Sequence, residues 1–268
     1  MYFPVQISDA EKGVPIIELL RAGNKHPGKG IKGMLRCLFW RIKRAFPGVE
    51  IILRGDSGFS LPEILQTCER SKVFYVCGIA RNAVLERKIA YLLDSARLKA
   101  AKNNLPKVRL FDDVYYMSQS WSEPRRVVMK AEVLALGNNP RFLVTNMSED
   151  AQTLYGELYV QRGEDCENRI KEFKHAIKAD RLSCHRFIAD QFRLYLHQAA
   201  YLLIIEIRKA AEGTEFAKAQ VETLRNRLLK VAASVTESVR RVWVRFASSC
   251  SAQQAFATIA AALLVNSG

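Results

Sequence analysis

The chain has 268 residues, of which 49% are hydrophobic and 25% charged, and 41 Lys and Arg against 27 Asp and Glu give a formal net charge of +14. This composition excludes a disordered chain, and no run reaches the roughly 18 apolar residues that a membrane span needs. The excess of positive charge indicates a polyanionic partner, for which nucleic acid is the simplest choice. The six cysteines form no CxxC motif, so we expect a cytoplasmic protein without a zinc site or a disulfide framework.

The first eighty residues alternate strand and helix patterns, which predicts an α/β fold. Two short apolar runs at 2–8 and 14–20 flank a polar patch, and this pattern is typical of a β-hairpin. Over 31–46, apolar residues recur at helical spacing and predict a helix. Nearly continuous apolar runs at 49–53 and 73–80, with a helical pattern between them, predict two parallel strands buried on both faces.

The middle of the chain has a different pattern. A charged helix is predicted over 84–103, and three segments rich in Val, Tyr and Arg, at 108–117, 125–136 and 141–147, predict antiparallel strands. We expect these strands to form a small sheet of their own, inserted into the main domain as a subdomain spanning 105–147.

From residue 149 onward the pattern is mainly helical. The first helix runs towards Val160, and we expect Gly163 to interrupt it before a second stretch begins. One late strand is predicted over 239–246, where Arg241 and Arg245 alternate with apolar residues and give the strand a basic face. The other predicted helices of this region are at 187–211 and 255–265.

Asp56 is the first candidate for chemistry. It directly follows the predicted strand at 49–53 and precedes Ser57 and Gly58. The carboxyl ends of strands are where ligand sites of open sheets are built, and a carboxylate there suits a hard divalent cation. The alternative is that Asp56 caps the turn, because Asp and Ser favour turn positions in any protein.

Glu167 is the second candidate. Glu167 and Lys174 are seven positions apart, so in an α-helix they lie within about 20° of each other. Ile170 and Ile177 lie on or near the same face, which predicts that this face points inward. An inward carboxylate is costly unless it is paired or binds a metal. The alternative is an ion pair with Lys171 on a solvated face.

The two acids together suggest a metal site. Two-metal phosphoryl transfer needs carboxylates that converge on a pair of cations roughly 3.5–4 Å apart. Asp56 ends a predicted strand and Glu167 lies in a predicted helix, and such a pair can meet where the helix packs on the sheet. We expect folding to bring the two side chains close to a shared cation.

Three segments resemble the DDE transposases of bacterial insertion sequences (DDE group 1), in order along nearly the whole chain. They are IILRGDSGF at 51–59, YVCGIARN at 75–82, and a block that begins with YVQRGEDCENRIKEFK at 159–174 and extends to Leu203. The resemblance implies that 1–268 form an α/β catalytic domain with an RNase H-like mixed sheet flanked by helices and an inserted antiparallel β subdomain. It also implies DNA transposition with Mg²⁺ at a two-metal site, where Mn²⁺ can substitute.

The resemblance assigns roles to individual residues. Asp56 and Glu167 match the catalytic residues that bind Mg²⁺. The late-helix signature of the family, Tyr, Arg, Glu and Lys, falls on Tyr159, Arg162, Glu167 and Lys174, of which the Arg and the Lys hold DNA phosphates. The implied partners are the transposon ends, the target DNA and a second copy of the chain in a homodimer.

Three further residues are candidates for contact with DNA. Trp121 could stack on an unpaired base near the cut end, although a lone aromatic residue more often packs in a core or a turn. Arg169 and Lys171 could belong to a surface that follows the phosphates, or to a solvated helix face.

The chain departs from the family pattern in two places. Four residues instead of three separate Arg162 from Glu167, which turns them about 140° apart in an unbroken helix instead of about 40°, and a kink at Gly163 could absorb the difference. The first catalytic Asp of the family lies on a strand before 2–8, and Asp9 does not match it. We therefore expect an N-terminally shortened and impaired transposase. The alternative is an inactive DNA-binding remnant.

Overall fold

The structure is a computed structural model. It describes residues 2–24, 26, 28–247 and 250–265, without the side chains of 2, 3, 162–166 and 265. The chain divides into two compact units, one formed by Met1–Gly23 with Asp165–Gly268 and the other by Asn24–Glu164. None of the described helices combines the length and the apolar character that crossing a membrane requires.

The unit Asn24–Glu164 is built on one mixed sheet. Its strands are β3 (Ile52–Gly55), β4 (Phe74–Ile79), β5 (Lys107–Tyr116), β6 (Arg125–Leu134), β7 (Gly137–Asn138) and β8 (Arg141–Thr145). Its helices are α1 (Lys32–Ala45), α2 (Pro62–Arg70), α3 (Ala83–Lys102) and α4 (Ala151–Thr153), which continues as a π-helical segment (Leu154–Val160). The strand order is β3-β4-β8-β6-β5, and β7 pairs with β6. The predicted α/β class is confirmed.

The sheet combines a parallel and an antiparallel part. β3 and β4 are parallel and are connected through α2, so the predicted β-α-β unit is confirmed. The expectation that 108–147 forms a sheet of its own is wrong, because β8 pairs antiparallel with β4, with Phe142 opposite Ile79. The physical reason is burial: four of the five β8 residues are buried, and pairing with the buried strand β4 satisfies their backbone hydrogen bonds.

The strand before Asp56 differs from its prediction. It was expected over 49–53 with both faces buried, but β3 begins at Ile52 and lies at the edge of the sheet, where Ile52 is 40% exposed. A short apolar run alone does not distinguish an edge strand from a central one. As a consequence, Asp56 follows a strand with a single hydrogen-bonded neighbour.

The π-helical segment packs against one face of the sheet. Leu154 and Tyr155 belong to an apolar cluster with Val76, Val128 and Leu143, which lie on three neighbouring strands. This packing fixes the segment that carries Tyr159 over the strands β4 and β8.

The other unit combines two β-hairpins with helices. Its strands are β1 (Tyr2–Ser8), β2 (Pro15–Ala22), β9 (Ala233–Ser238) and β10 (Arg241–Phe246). Its helical segments are α5 (Gln161–Lys171), of which this unit includes the part from Asp165 onward, a π-helical segment (Glu172–Ala176), α6 (Phe187–Ala210), α7 (Val221–Leu224), followed by a π-helical segment (Arg225–Leu229), and α8 (Gln253–Val265). The predicted hairpin of β1 and β2 is confirmed. The core of this unit includes Leu20, Leu194, Tyr201, Phe216 and Leu224.

The predicted interruption at Gly163 is wrong, because Gly163 lies inside α5. A glycine in a helix interior costs only about 1 kcal/mol relative to alanine, which neighbouring helical turns can offset. The irregular backbone lies instead in the π-helical segments at Leu154–Val160 and Glu172–Ala176.

Candidate active site at the carboxyl end of the parallel strands

Asp56 lies where the sequence predicted, directly after β3. Its Oδ1 accepts a hydrogen bond from the Gly58 backbone N–H at 2.8 Å and caps the short 3₁₀ turn Ser57–Phe59. The alternative that Asp56 caps the turn is therefore correct for one of its two carboxylate oxygens, Oδ1. The side chain is exposed, and Oδ2 makes no hydrogen bond to the described residues, so this oxygen can face a cation or solvent.

Gly78 allows Tyr159 to approach the Asp56 turn closely. A Cβ placed on Gly78 would lie 2.7 Å from Tyr159 Oη, 3.2 Å from the Ser57 backbone nitrogen and 3.5 Å from the Asp56 carbonyl carbon. Real Cβ atoms do not come within 3 Å of another heavy atom, so this arrangement requires glycine. The Asp56 turn and the Tyr159 hydroxyl thus come close together at the carboxyl end of β4.

Two contacts hold Tyr159 in this position. The ring of Tyr155, one helical turn earlier, lies with its centroid 5.9 Å from that of Tyr159. Arg54 Nη1 in β3 donates a hydrogen bond to the Leu158 carbonyl oxygen at 3.1 Å. The residue that sequence analysis missed here is Gly78. A glycine within an apolar strand run is itself a signal for close approach of another group.

Glu167 lies on an exposed face of α5, so the inward orientation expected from the apolar spacing is wrong. Its side chain is 72% exposed, and its Oε2 is 4.0 Å from Lys171 Nζ. Ile170 and Lys174 are also exposed, and the buried residue of this region is Phe173. The physical reason is that Phe173, and not the pair of isoleucines, provides the buried contact of this region.

The ion pair between Glu167 and Lys171 is the alternative that the sequence left open. Pairs of this kind on a solvated helix face contribute little to stability. Among the described residues, no strong contact holds Glu167 in a fixed position, and its carboxylate is accessible from solvent.

Arg169 makes structural contacts. Its Nη1 and Nη2 donate hydrogen bonds to the carbonyl oxygens of Asp9 and Ala10 at 3.1 and 3.0 Å. The guanidinium also lies against Gly13, where a Cβ would be 2.9 Å from Arg169 Nε. Arg169 thus fastens the turn between β1 and β2, and its contact with DNA stays a prediction.

Trp121 is packed against other side chains, which agrees with the alternative that a lone aromatic residue packs in a core or a turn. It is 6% exposed, and its ring meets that of Tyr116 edge to face at a centroid distance of 5.6 Å. The Arg125 guanidinium lies 5.2 Å from the Trp121 ring centroid. Stacking on a base would require the ring to leave these contacts. The side chain of Arg162 lies outside the described residues.

The donor chemistry of the two acids suits a divalent cation such as Mg²⁺, which prefers carboxylate oxygens. Asp56 belongs to the unit Asn24–Glu164 and Glu167 to the other unit. Within the part of the chain that the structure describes, no three His, Cys, Asp or Glu side chains cluster in a way that could hold a metal ion. Asp56 and Glu167 thus fit a metal by chemistry and exposure, and a shared site stays a proposal.

The chain was compared with known protein families. The family described as Transposase DDE domain group 1 matches residues 1–266. A comparison with curated proteins gave no match. Because the family match covers nearly the whole chain, the chain belongs to the DDE transposase family.

Proposed function

We propose that this chain cuts DNA at transposon ends and joins the cut strand to target DNA, with an RNase H-like fold of its 1–268 domain in which the strands of 105–147 extend the main sheet. One observation carries the proposal in addition to family membership. The Asp56 turn and the Tyr159 hydroxyl converge at Gly78, so two residues distant in sequence form one edge of a site. The positive net charge of +14 suits a DNA substrate.

Asp56 and Glu167 are the residues that would hold divalent cations, Mg²⁺ or Mn²⁺. When bound, such cations polarise the scissile phosphate and activate the attacking hydroxyl. The exposed Oδ2 of Asp56 and the exposed carboxylate of Glu167 support this role.

The other signature residues would position the DNA strand. Tyr159 bounds the site beside Asp56, while Arg162 and Lys174 would contact phosphates. Lys171 and Arg169 would extend this surface, and Trp121 would stack on a base after release from its packing. The active form would be a homodimer on two DNA ends.

The first experiment measures Mn²⁺ binding by electron paramagnetic resonance and nicking of supercoiled plasmid DNA in Mg²⁺. We expect Asp56→Asn to weaken Mn²⁺ binding at least tenfold, because a neutral amide replaces a carboxylate ligand, and to abolish nicking. We expect the unmodified chain to nick the plasmid, so that the loss in the variant can be measured.

Asp94→Asn is the matched control. Asp94 is an exposed carboxylate on α3 that pairs only with Arg97 among the described residues, so this variant should bind Mn²⁺ and nick DNA as the unmodified chain does. Equal Mn²⁺ binding by Asp56→Asn and the unmodified chain would remove Asp56 from the site. A chain that binds DNA but neither binds Mn²⁺ nor nicks would be a DNA-binding remnant.

A further inference from the structure

A small polar pocket lies beside the Asp56 turn, entirely within the unit Asn24–Glu164. Its volume is about 130 Å³, and its walls include Ser57, Gly78, Arg81, Arg141 and Tyr159. Pockets for drug-sized ligands usually have volumes of about 300–1,000 Å³. This pocket therefore fits a group of a few atoms, such as a phosphate, rather than a whole nucleotide.

The strand pairing explains why two arginines meet there. β4 and β8 run antiparallel, with Ile79 opposite Phe142. Arg81 leaves the end of β4 as Arg141 enters β8, so both residues lie at the same end of this strand pair. Like charges that line one small pocket repel each other, and an anion between them would relieve that repulsion.

The pocket has no acidic side chain of its own to neutralise these arginines. Neither guanidinium forms a hydrogen bond or an ion pair with the described residues, and both side chains are exposed. Arg125, in contrast, binds both carboxylate oxygens of Glu69 at 2.7 and 2.9 Å. The structure thus uses other arginines to hold the fold and leaves Arg81 and Arg141 available.

The surroundings also favour an anion. Arg81 directly precedes Asn82, the N-cap residue of the 20-residue helix α3, and the N-terminal end of a helix carries partial positive charge. Ser57 adds a hydroxyl group, and two guanidinium groups can present paired N–H donors to phosphate oxygens.

We propose that this pocket binds a backbone phosphate of the DNA strand that lies against Asp56, with Arg81 and Arg141 as its cationic ligands. The assignment rests on the proposed function for the identity of the strand, since inorganic phosphate offers the same chemistry. It adds two DNA-binding residues to those expected from the family signature.

A second basic group continues from the pocket along the same face of the sheet. Arg141 pairs with Lys130 across the strands, and Arg109 pairs with Glu132 two residues further along β6. The buried Glu132 carboxylate accepts hydrogen bonds from Lys130 and Arg109, and Lys107 lies 3.3 Å away. Burial raises the pKa of Glu132, but its hydrogen bonds from Lys130 and Arg109 outweigh burial and lower this pKa to about 2.

Glu132 therefore stays ionised and holds this basic group in place. Its single negative charge faces three positive charges, those of Lys107, Arg109 and Lys130. Lys107 and Arg109 are about half exposed. Successive residues on one face of a β-strand are about 7 Å apart. A DNA strand that leaves the pocket would therefore meet Arg109 and then Lys107.

The test compares Arg81→Gln and Arg141→Gln with Arg97→Gln in the full chain without divalent cations. Arg97 lies far along α3 and pairs only with the exposed Asp94 among the described residues, so its loss removes the same charge outside the pocket. Fluorescence anisotropy would report binding of a labelled single-stranded and a labelled duplex oligonucleotide. We expect each pocket variant to bind roughly tenfold more weakly. Its slope of log affinity against log salt should be smaller by about 1.

A second measurement needs no variant. Phenylglyoxal modifies accessible arginines, and mass spectrometry reports the extent at each position. We expect the oligonucleotide to protect Arg81 and Arg141 but not Arg97. Protection by millimolar inorganic phosphate and not by the oligonucleotide would make the pocket a free-phosphate site and overturn its assignment to DNA.

The outcomes separate this pocket from the proposed function. If both pocket variants bind DNA as Arg97→Gln does, and DNA leaves both arginines reactive, the pocket assignment fails, while loss of nicking in Asp56→Asn would leave the function standing. If the unmodified chain binds neither oligonucleotide, the proposed function itself fails, and the pocket assignment, which rests on it, fails with it.

Discussion

At the scale of single residues, Gly78 controls the approach of Tyr159 to the Asp56 turn. The hydroxyl of Tyr159 occupies the space where any other residue would place its Cβ. The same missing Cβ leaves room for the Ser57 backbone nitrogen. Because Gly78 carries a hydrogen atom where other residues carry a Cβ, the Asp56 turn and the π-helical segment can both approach β4 closely.

We expect Gly78→Ala to destabilise the protein by about 1–3 kcal/mol, because the added methyl group overpacks a close contact. Urea unfolding monitored by circular dichroism would measure the change. The double variant Gly78→Ala with Tyr159→Phe removes the oxygen at 2.7 Å and should recover part of the loss. If alanine is tolerated at no cost, the close contact between Tyr159 and β4 does not exist.

Glu18 makes the stability of its unit depend on pH. This side chain is 1% exposed, and its Oε1 has no hydrogen-bond partner among the described residues. Burial raises the pKa of Glu18 from 4.5 to about 8. The folded state therefore keeps the proton to a higher pH than the unfolded chain does.

Because the unfolded chain loses this proton first, stability is highest below pH 4.5 for this group and decreases as the pH rises to about 8. We expect Glu18→Gln to abolish this decrease and to stabilise the protein at pH 8 by on the order of 2 kcal/mol. Chemical unfolding at several pH values would test this, with Glu11→Gln, in the exposed turn, as the control. Parallel pH profiles for the unmodified chain and Glu18→Gln would contradict the buried, protonated state.

At the scale of elements, α6 completes the hydrogen bonding of β2. Gln191 Oε1 accepts from the Leu20 backbone N–H at 2.7 Å, and Gln191 Nε2 donates to the Glu18 carbonyl oxygen at 3.0 Å. Gln198 Nε2 donates to the Pro15 carbonyl oxygen at 3.2 Å. These amides act as a substitute for a neighbouring strand.

We expect Gln191→Ala to destabilise the protein by about 2–3 kcal/mol, because it leaves the buried Leu20 N–H without a partner. Gln198→Ala removes one hydrogen bond and should cost about 1 kcal/mol. Thermal and urea unfolding would measure both. Equal, small effects of the two variants would mean that water replaces the amide of Gln191 at the strand edge.

The elements themselves could largely be predicted from periodicity. The hairpin of β1 and β2, the helix α3 and the strands β5, β6 and β8 lie within a few residues of their expected positions. Sheet order could not be predicted, because whether β3 lies at an edge depends on partners distant in sequence. The π-helical segments were missed as well, since a pattern that assumes 100° per residue cannot register one extra residue in a turn.

At the scale of the whole molecule, the sequence motifs were sufficient to identify the family. They pointed to only some of the residues of the candidate site. Asp56 and Tyr159 could be assigned to one site because their motifs match the family in order. Arg81 and Arg141 could not, since only the pairing of β4 with β8 brings them together. The inward orientation of Glu167 was wrong because two isoleucines do not define a buried face when Phe173 provides the buried contact.

The hairpin of β9 and β10 is exposed along almost its whole length. All of its strand residues except Phe246 are exposed, including Val235, Val242 and Val244. Substitutions on this ribbon therefore remove little packing and should be nearly neutral for folding. Evolution is free to vary such positions unless another molecule constrains them. Invariance of Trp243 or Arg245 among natural homologues would consequently report selection for binding and not for stability.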